Sequence, residues 1–263
     1  MGLTYVDAYS FVFLRIAFAA LIFVVLLTLR KRFNVNAIMR PSVWALGLLN
    51  GAALTLQCVG LLFTTASITA LLVNLNVLTV AVLSWSMFRE LFGRWKQLGI
   101  CFGLVGAAII STNGDLSTLS SGLVLGDVLV FAAGLAWAFF VVLQKQILMN
   151  CEEDAVELSA AVMVISALLL LPLAVFMGNL TTSPISAEGW ELVGYTALAC
   201  SVLPYVMWTL ALKSVTATVA TVVGMLEIVA AMALSAFFLA ETYSALTVTG
   251  AILILFSIFA VTR

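Results

Sequence analysis

Charged residues are missing from long stretches of this sequence, and these stretches determine its predicted architecture. The longest of them, residues 41–88, contains no Asp, Glu, Lys or Arg. A helix that crosses a bilayer needs about 20 apolar residues, and a charge inside the hydrocarbon is costly. The pattern predicts nine membrane-spanning helices, at residues 8–29, 42–62, 66–88, 96–112, 123–147, 156–177, 190–211, 215–239 and 243–262.

The spans are predicted to be helices because barrel strands would alternate polar and apolar residues at every second position, and these runs do not. Composition agrees. Hydrophobic residues make up 64% of the 263 residues and charged residues 9%, whereas a soluble domain is about 25% charged. The predicted fold class is therefore an all-α, polytopic membrane bundle, with the lipid bilayer as its surroundings.

Several functional classes are excluded by what the sequence lacks. It contains no histidine, which excludes a histidine-ligated metal, a catalytic histidine and a usual haem site, and no cofactor is expected. Three cysteines lie inside apolar runs and Cys151 is alone in a polar loop, so they form no disulfide framework. The net charge of -1 gives no reason to expect a nucleic-acid partner. No P-loop motif for ATP hydrolysis occurs.

Basic residues indicate how the chain is oriented. Cytoplasmic loops carry an excess of Lys and Arg. Ten of the eleven basic residues fall on one side of the predicted spans, and the exception, Arg15, lies within the first span. This places the C-terminus in the cytoplasm and the N-terminus outside. The ten are Arg30, Lys31, Arg32, Arg40, Arg89, Arg94, Lys96, Lys145, Lys213 and Arg263.

The sequence also contains a weak internal repeat. A shift of 151 positions pairs Thr65 with Thr216, Leu75 with Leu226, Glu90 with Glu241 and Gly99 with Gly250. So biased a composition gives many chance identities, but the basic residues are more informative. Three basic residues follow the third span, and the residues 151 positions after them are uncharged. Lys213 precedes the eighth span, whereas the equivalent position before the third span is Leu62. Copies with opposite positive-inside signals are expected to lie in the membrane in opposite senses.

The segment from Ala66 to Gly106 has a Thr-Ala-Ser opening, a long apolar span, Glu90 and then three glycines, and the segment from Ala217 to Gly250 repeats the pattern. It resembles the EamA-type drug/metabolite transporters, and the resemblance covers nearly the whole chain. It implies two repeats, here residues 1–113 and 122–263, in a prokaryotic cell membrane. It also implies export of amino acids or other metabolites.

Members of that family have ten helices in two five-helix repeats, and nine are predicted here. The residues around Arg15 look like the family's second helix, so the resemblance implies that the first helix is missing. One explanation is a start codon placed too late, and the other is a protein that works with a vacant helix position. The first is favoured, because a lost helix would expose an interior groove to lipid.

Glu227 is the leading candidate for chemistry, since it lies near the middle of a predicted span. It could carry a coupling proton or pair with a cationic group of the solute. The alternative is a protonated carboxyl that holds neighbouring helices together. The family commonly has a proline after this position, where this chain has Ile228, so the helix is expected to lack a kink there.

Arg15 lies about eight residues into its span, roughly 12 Å from the helix start. We interpret it as a structural anchor, with binding of a solute carboxylate as the alternative. Uncharged candidates for a solute cavity also lie in the spans, where helix packing is an equal alternative for each. They are Gln57, Asn74, Asn76, Trp137, Tyr205 and Trp208.

The remaining signals are interpreted as structural. Pro204 is expected to open a kink beside Tyr205 and Trp208. Glu90 and Glu241 are expected to cap or orient the next helix. The glycine pairs Gly47 with Gly51 and Gly99 with Gly103 are expected to let helices approach closely.

These patterns together predict a secondary transporter for a small organic solute, with proton coupling through Glu227 as one possible role for that carboxylate. One rival is an intramembrane enzyme, which would need paired carboxylates or an equivalent arrangement at membrane depth. The other is a non-transporting scaffold, for which a central Glu and an inverted repeat would have no evident purpose. Oligomeric state and substrate identity are left open by the sequence.

Overall fold

A computed structural model of the chain describes residues 7–30, 40–90, 93–112, 124–150, 154–178, 185–239 and 242–263. All regular structure within these ranges is helical, which confirms the predicted fold class. The helices are α1 (Ala8–Leu29), α2 (Pro41–Gly60), α3 (Ala66–Asn74 and Asn76–Phe88), α4 (Arg94–Thr112), α5 (Val124–Asn150), α6 (Ala155–Phe176), α7 (Ala187–Ala197, a π-helical turn at Leu198–Val202, and Leu203–Ser214), α8 (Ala217–Gly224 and Leu226–Leu239) and α9 (Ala245–Val261).

The described helices follow the predicted spans closely. Eight helical stretches are long and apolar enough to cross a membrane, and α9 is a shorter apolar helix. The fifth span shows the size of the differences, because it was predicted at 123–147 and is helical over Val124–Asn150. Charge-free runs therefore located the helices well.

Polar side chains cap several helix starts. In each case a side-chain oxygen accepts hydrogen bonds from free backbone N–H groups of the first turn. These short polar side chains stand directly before the apolar runs, at the points where the helices begin. The capping residues are Asp7, Thr65, Asp154, Ser186, Thr216 and Ser244.

The helices form two compact units, each drawn from separate parts of the chain. Unit 1 comprises Met1–Cys58 and Leu143–Ser214, and unit 2 comprises Val59–Val142 and Val215–Arg263. This is a division by packing, and it cuts across the division into two sequence repeats. Glu241, Cys151, Lys31 and Arg32 lie outside the described residues.

Unit 1 is built around α1, which packs against α6 and the first half of α7. Phe23 and Leu27 of α1 are fully buried. On the side towards α7, Phe18 meets the Trp190 ring at a centroid distance of 5.6 Å. Gly47 of α2 lies against Ile165 of α6, where any added side chain would clash. Its predicted role in close packing is confirmed.

Unit 2 is organised by the crossing of α4 and α9. Gly99 faces Val261, and Gly250 faces Ile110. These two contacts are equivalent under the 151-residue shift, which turns 99 into 250 and 110 into 261. Farther along the crossing, Gly103 faces Ser257 and Gly106 faces Ile254, a second pair with the same relation. Two antiparallel copies related by a two-fold axis would make this pattern of contacts.

Two spans of unit 2 are broken near their middles. The α-helical hydrogen bonding of α3 is interrupted at Leu75 (φ -63°, ψ -12°) and that of α8 at Met225 (φ -61°, ψ -13°). Each break is closed by a tight bond three residues on, from Leu78 N to Leu75 O at 3.1 Å and from Ile228 N to Met225 O at 3.1 Å. The regular hydrogen bonding of α8 is thus interrupted just before Ile228 without a proline. The expectation that α8 lacks a kink there stays a prediction.

Glu90 connects three helices of unit 2. Its Oε2 accepts a hydrogen bond from the Thr218 hydroxyl at 3.0 Å, and its Oε1 pairs with the Lys96 ammonium. Lys96 is in the first turn of α4 and Thr218 in the first turn of α8, while Glu90 directly follows α3. These contacts agree with the expected orienting role of Glu90.

Candidate functional site

Glu227 lies at the break in α8. It is the second residue of the half-helix Leu226–Leu239, and its side chain is exposed. No hydrogen bond or ion pair joins its carboxylate to another residue in the described part of the chain. The free N–H groups of a helix start carry partial positive charge, so the half-helix favours a negative charge at this position. The carboxylate therefore lies beside the partly positive start of a half-helix, within an apolar span, and has no partner among the described residues.

Asn74 and Asn76 flank the corresponding break in α3. Asn76 is the repeat counterpart of Glu227, since the two positions differ by 151 residues. The amide of Asn74 donates to its own helix, at Ala70 O, over 2.7 Å. Both residues are half-buried, as is Trp137 of α5. Unit 2 therefore contains four of the predicted site residues: Glu227, Asn74, Asn76 and Trp137.

The other four predicted residues belong to unit 1, where Tyr205 is the centre of a polar cluster. The Tyr205 hydroxyl donates to Asn50 Oδ1 at 2.5 Å, and Asn50 Nδ2 donates to Ser166 Oγ at 2.8 Å. Ser166 in turn donates to the Gly47 carbonyl at 3.1 Å. Side chains from α7, α2 and α6 are thus joined in one directed chain of hydrogen bonds.

Trp208 belongs to the same cluster through a second branch. Its indole N–H donates to Gln144 Oε1 at 3.0 Å, and Gln144 Nε2 donates to Thr209 Oγ1 at 3.1 Å. Thr209 donates to the carbonyl of Tyr205 at 2.7 Å, which joins the two branches. The polar cluster of unit 1 comprises Asn50, Gln144, Ser159, Ser166, Tyr205, Trp208 and Thr209.

A π-helical turn precedes this part of α7. Leu203 N donates to Leu198 O, five residues back, and Pro204 has no N–H to donate. A wider helical turn over Leu198–Val202 thus comes directly before Pro204, and the kink expected beside Tyr205 and Trp208 stays a prediction. Such turns are frequent at functional sites. This one contacts α1, the helix that carries Arg15.

Arg15 and Gln57 are half-buried in α1 and α2. Arg15 Nε is buried without a hydrogen-bond partner, while the guanidinium lies within electrostatic range of Tyr205. Gln57 follows Asn50 by seven residues, which places both on the same side of α2. Unit 1 thus brings Arg15 near Tyr205.

Asn50 and Gln144 are the residues of this cluster that sequence reasoning missed. Both are almost completely buried, at 1% exposure each. A usable signal existed for Asn50, because it lies in the charge-free run seven residues before Gln57. Gln144 lies near the end of its predicted span, where polar residues are common because the helix approaches the membrane surface.

Removing the Asn50 side chain is expected to destabilise the protein. Asn50→Ala leaves the Tyr205 hydroxyl without its acceptor and Ser166 without its donor, at a cost of about 1–3 kcal/mol. The thermal unfolding midpoint in detergent should fall by several degrees. Asn74→Ala is the matched control, since among the described residues the Asn74 side chain bonds only to its own helix, and this variant should shift the midpoint less. Equal shifts in the two variants would show that the cluster adds no stability.

With this geometry established, comparison with known proteins identifies the family. Residues 1–112 and 124–263 match the EamA-like transporter family. The chain belongs to this family. Its all-helical bundle of apolar spans is the polytopic membrane architecture expected of an EamA-like transporter, so the resemblance inferred from the sequence is confirmed.

Curated relatives of this EamA-like protein are named as transporters. The chain is 28% identical over 162 residues to an uncharacterized transporter of Archaeoglobus fulgidus, covering 62% of this chain and 55% of the relative. It is 27% identical over 208 residues to the uncharacterized transporter YyaM of Bacillus subtilis, covering 76% and 65% respectively. The chain thus spans less than two thirds of the length of either relative.

A solved crystal structure shares the fold. It superimposes with a TM-score of 0.84 at 14% sequence identity, covering 99% of this chain and 90% of that one. Identity this low carries no functional information beyond the fold. The family and the relatives together establish an integral membrane protein of the EamA-like transporter family.

Proposed function

We propose that the chain is a secondary active transporter that exports a small organic metabolite, such as an amino acid or a related amphipathic solute, in exchange for protons. The observation that carries this proposal is the Glu227 carboxylate, which is exposed beside a helix break at membrane depth and has no partner among the described residues. An ionisable group in that position is energetically costly, and such groups are rare except at functional sites. Broken helices near the bilayer midplane are typical of solute and ion sites in transporters.

We further propose that two inverted repeats, residues 1–113 and 122–263, underlie alternating access. Support comes from the reciprocal glycine contacts of α4 and α9, which obey the 151-residue shift. The threonine caps at Thr65 and Thr216 obey the same shift. Under that shift, the helix break at Leu75 falls at position 226, one residue after the break at Met225. Opposed copies of one unit can exchange their conformations and so open a site to each side in turn.

The proposed orientation has the C-terminus in the cytoplasm. It rests on the basic residues, most of which fall on one side of the spans. Relatives from a bacterium and an archaeon favour a prokaryotic cell membrane. The bilayer is the surrounding phase, and the proposed partners are the solute and protons.

An intramembrane enzyme is the alternative considered from the sequence. Hydrolysis or group transfer at membrane depth usually needs two acids or an acid with another catalytic group. The other acids in the described part of the chain lie near helix ends, as Asp127 and Glu157 do in the first turns of α5 and α6. Proton-coupled transport can use a single carboxylate, which favours the transporter.

The proposal is tested by reconstituting the purified protein into liposomes loaded with labelled amino acids, amines or sugars. An inward proton gradient should drive protein-dependent release of at least one solute, and an ionophore that collapses the gradient should stop it. Gradient-insensitive release would contradict proton coupling. Release equal to that from protein-free liposomes for every solute would favour the non-transporter alternatives.

A further inference from the structure

We propose, as an extension that rests on the proposed transport function, that Arg15 binds the carboxylate of the transported solute and restricts transport to organic acids and amino acids. Arg15 lies inside α1 (Ala8–Leu29), one and a half to two turns from its start. A cation at this depth is normally paired with an acid or a run of carbonyls. Here the Nε atom is buried without any hydrogen-bond partner.

Unit 1 offers no acid to Arg15 among its described residues. Asp7 and Asp154 accept hydrogen bonds from the first turns of α1 and α6, and Glu157 lies in the first turn of α6. Glu188 and Glu191 are exposed near the start of α7. No ion pair links any of them to Arg15 in this part of the structure. The counter-charge is therefore left for a ligand to supply.

The polar group known to lie within electrostatic range of Arg15 is uncharged. It is the Tyr205 hydroxyl, which donates its hydrogen to Asn50 Oδ1. Asn50 is itself bound to Ser166, and Ser166 to the Gly47 carbonyl. This chain of hydrogen bonds holds the Tyr205 side chain in place. The N–H group at Arg15 Nε remains without an acceptor.

The chemistry of the site favours a carboxylate. A guanidinium presents its N–H groups as a planar fork that matches the two oxygens of a carboxylate. One guanidinium balances one negative charge, whereas a phosphate dianion would need a second cation. Lys145, another basic residue of unit 1, donates instead to the Leu212 carbonyl at 2.8 Å. Since Arg15 is half-buried and not sealed, a small ligand can reach it.

The first test uses the unmodified protein and pairs of compounds that differ only in the acid. Benzoate is compared with benzamide, and leucine and phenylalanine with their amides, by thermal unfolding in detergent at matched ionic strength. At least one acid should raise the unfolding midpoint and its amide should not. If no acid acts, or if an acid and its amide act equally, the proposal is overturned.

The second test changes the protein. For the acid that acts, Arg15→Gln should raise the half-maximal concentration about ten- to a hundredfold, as expected for loss of a charged hydrogen bond. The half-maximal concentration for Arg15→Lys should lie between those of the wild type and Arg15→Gln, because lysine keeps the charge but lacks the planar fork. Arg94→Gln, at an exposed arginine that begins α4, should behave as the wild type. Unchanged binding in Arg15→Gln would overturn the proposal, and if that variant does not fold, the acid–amide comparison and Arg15→Lys decide.

The two proposals fail in different ways. The acid that stabilises the protein is also supplied in labelled form to proteoliposomes. Arg15-dependent binding without any flux would preserve the anion site and contradict transport. Flux of an acid with the same half-saturating concentration in wild type and Arg15→Gln would preserve transport and contradict the anion site.

Discussion

Replacing Glu227 by glutamine is expected to stop gradient-driven transport while exchange of labelled for unlabelled solute continues. Glutamine has nearly the same shape and can form hydrogen bonds, but it cannot take up or release a proton. Net export driven by a proton gradient should therefore fall to the rate of protein-free liposomes. Exchange involves no net proton movement, so the variant should retain it. Both rates are measured with the same proteoliposomes.

The Glu227→Gln variant should also remain folded. An unpaired charge at membrane depth costs about 2.5–3.5 kcal/mol on insertion scales, so its removal should leave the thermal unfolding midpoint unchanged or raise it. Glu191→Gln makes the same chemical change at an exposed position near the start of α7 and should alter neither rate. Loss of exchange along with net transport would instead assign Glu227 to solute binding. A large fall in the midpoint would assign it to helix packing.

Adding one methyl group to the α4–α9 crossing is expected to destabilise the protein strongly. A Cβ atom on Gly106 would lie 2.6 Å from the Gly250 carbonyl oxygen and 2.9 Å from Ile254 Cγ1. Because the first of these is main chain, it cannot rotate away, and the two helices would have to separate. Overpacking of this kind typically costs about 1–3 kcal/mol. Gly106→Ala should therefore lower the unfolding midpoint and reduce transport.

Gly194→Ala is the matched control for the crossing. Gly194 is also helical, in α7, but a Cβ atom there would meet no heavy atom within 4 Å. Alanine is favoured over glycine in a helix by about 1 kcal/mol, so this variant should be as stable as the wild type or slightly more stable. If both variants lost a similar amount of thermal stability, the close approach of α4 and α9 would make no specific contribution to the stability of the fold.

The positions of the spans could be predicted from the sequence because lipid imposes one dominant rule. Charges are excluded from the hydrocarbon over the full length of a helix, so residues 41–88 can be read directly as two spans and a turn. The internal breaks could not be predicted in this way. Leu75 and Met225 are ordinary helix formers, and neither break contains a proline. The poor helix formers beside them, Asn74, Asn76 and Gly224, weaken the helix locally, but residues of the same kind, such as Gly47 and Asn50, lie inside an uninterrupted helix.

The candidate site was predicted only in part for a related reason. Tyr205, Trp208 and Arg15 attract attention as large or charged residues inside apolar runs. Asn50 and Gln144 are less conspicuous, yet they accept the hydrogen bonds of Tyr205 and Trp208. Partners contributed by distant helices become visible only when the fold is known.

The most direct test of the central claim asks whether position 227 faces water. In a protein whose cysteines Cys58, Cys101, Cys151 and Cys200 are replaced, a membrane-impermeant thiol reagent is applied to Glu227→Cys and to Leu226→Cys. Leu226 is also exposed, at 42%, and is expected to contact lipid. We predict that only the cysteine at 227 is modified and that transported solute slows the reaction. If both positions are equally unreactive, Glu227 is not in an aqueous pathway, and the proposed transport mechanism is contradicted.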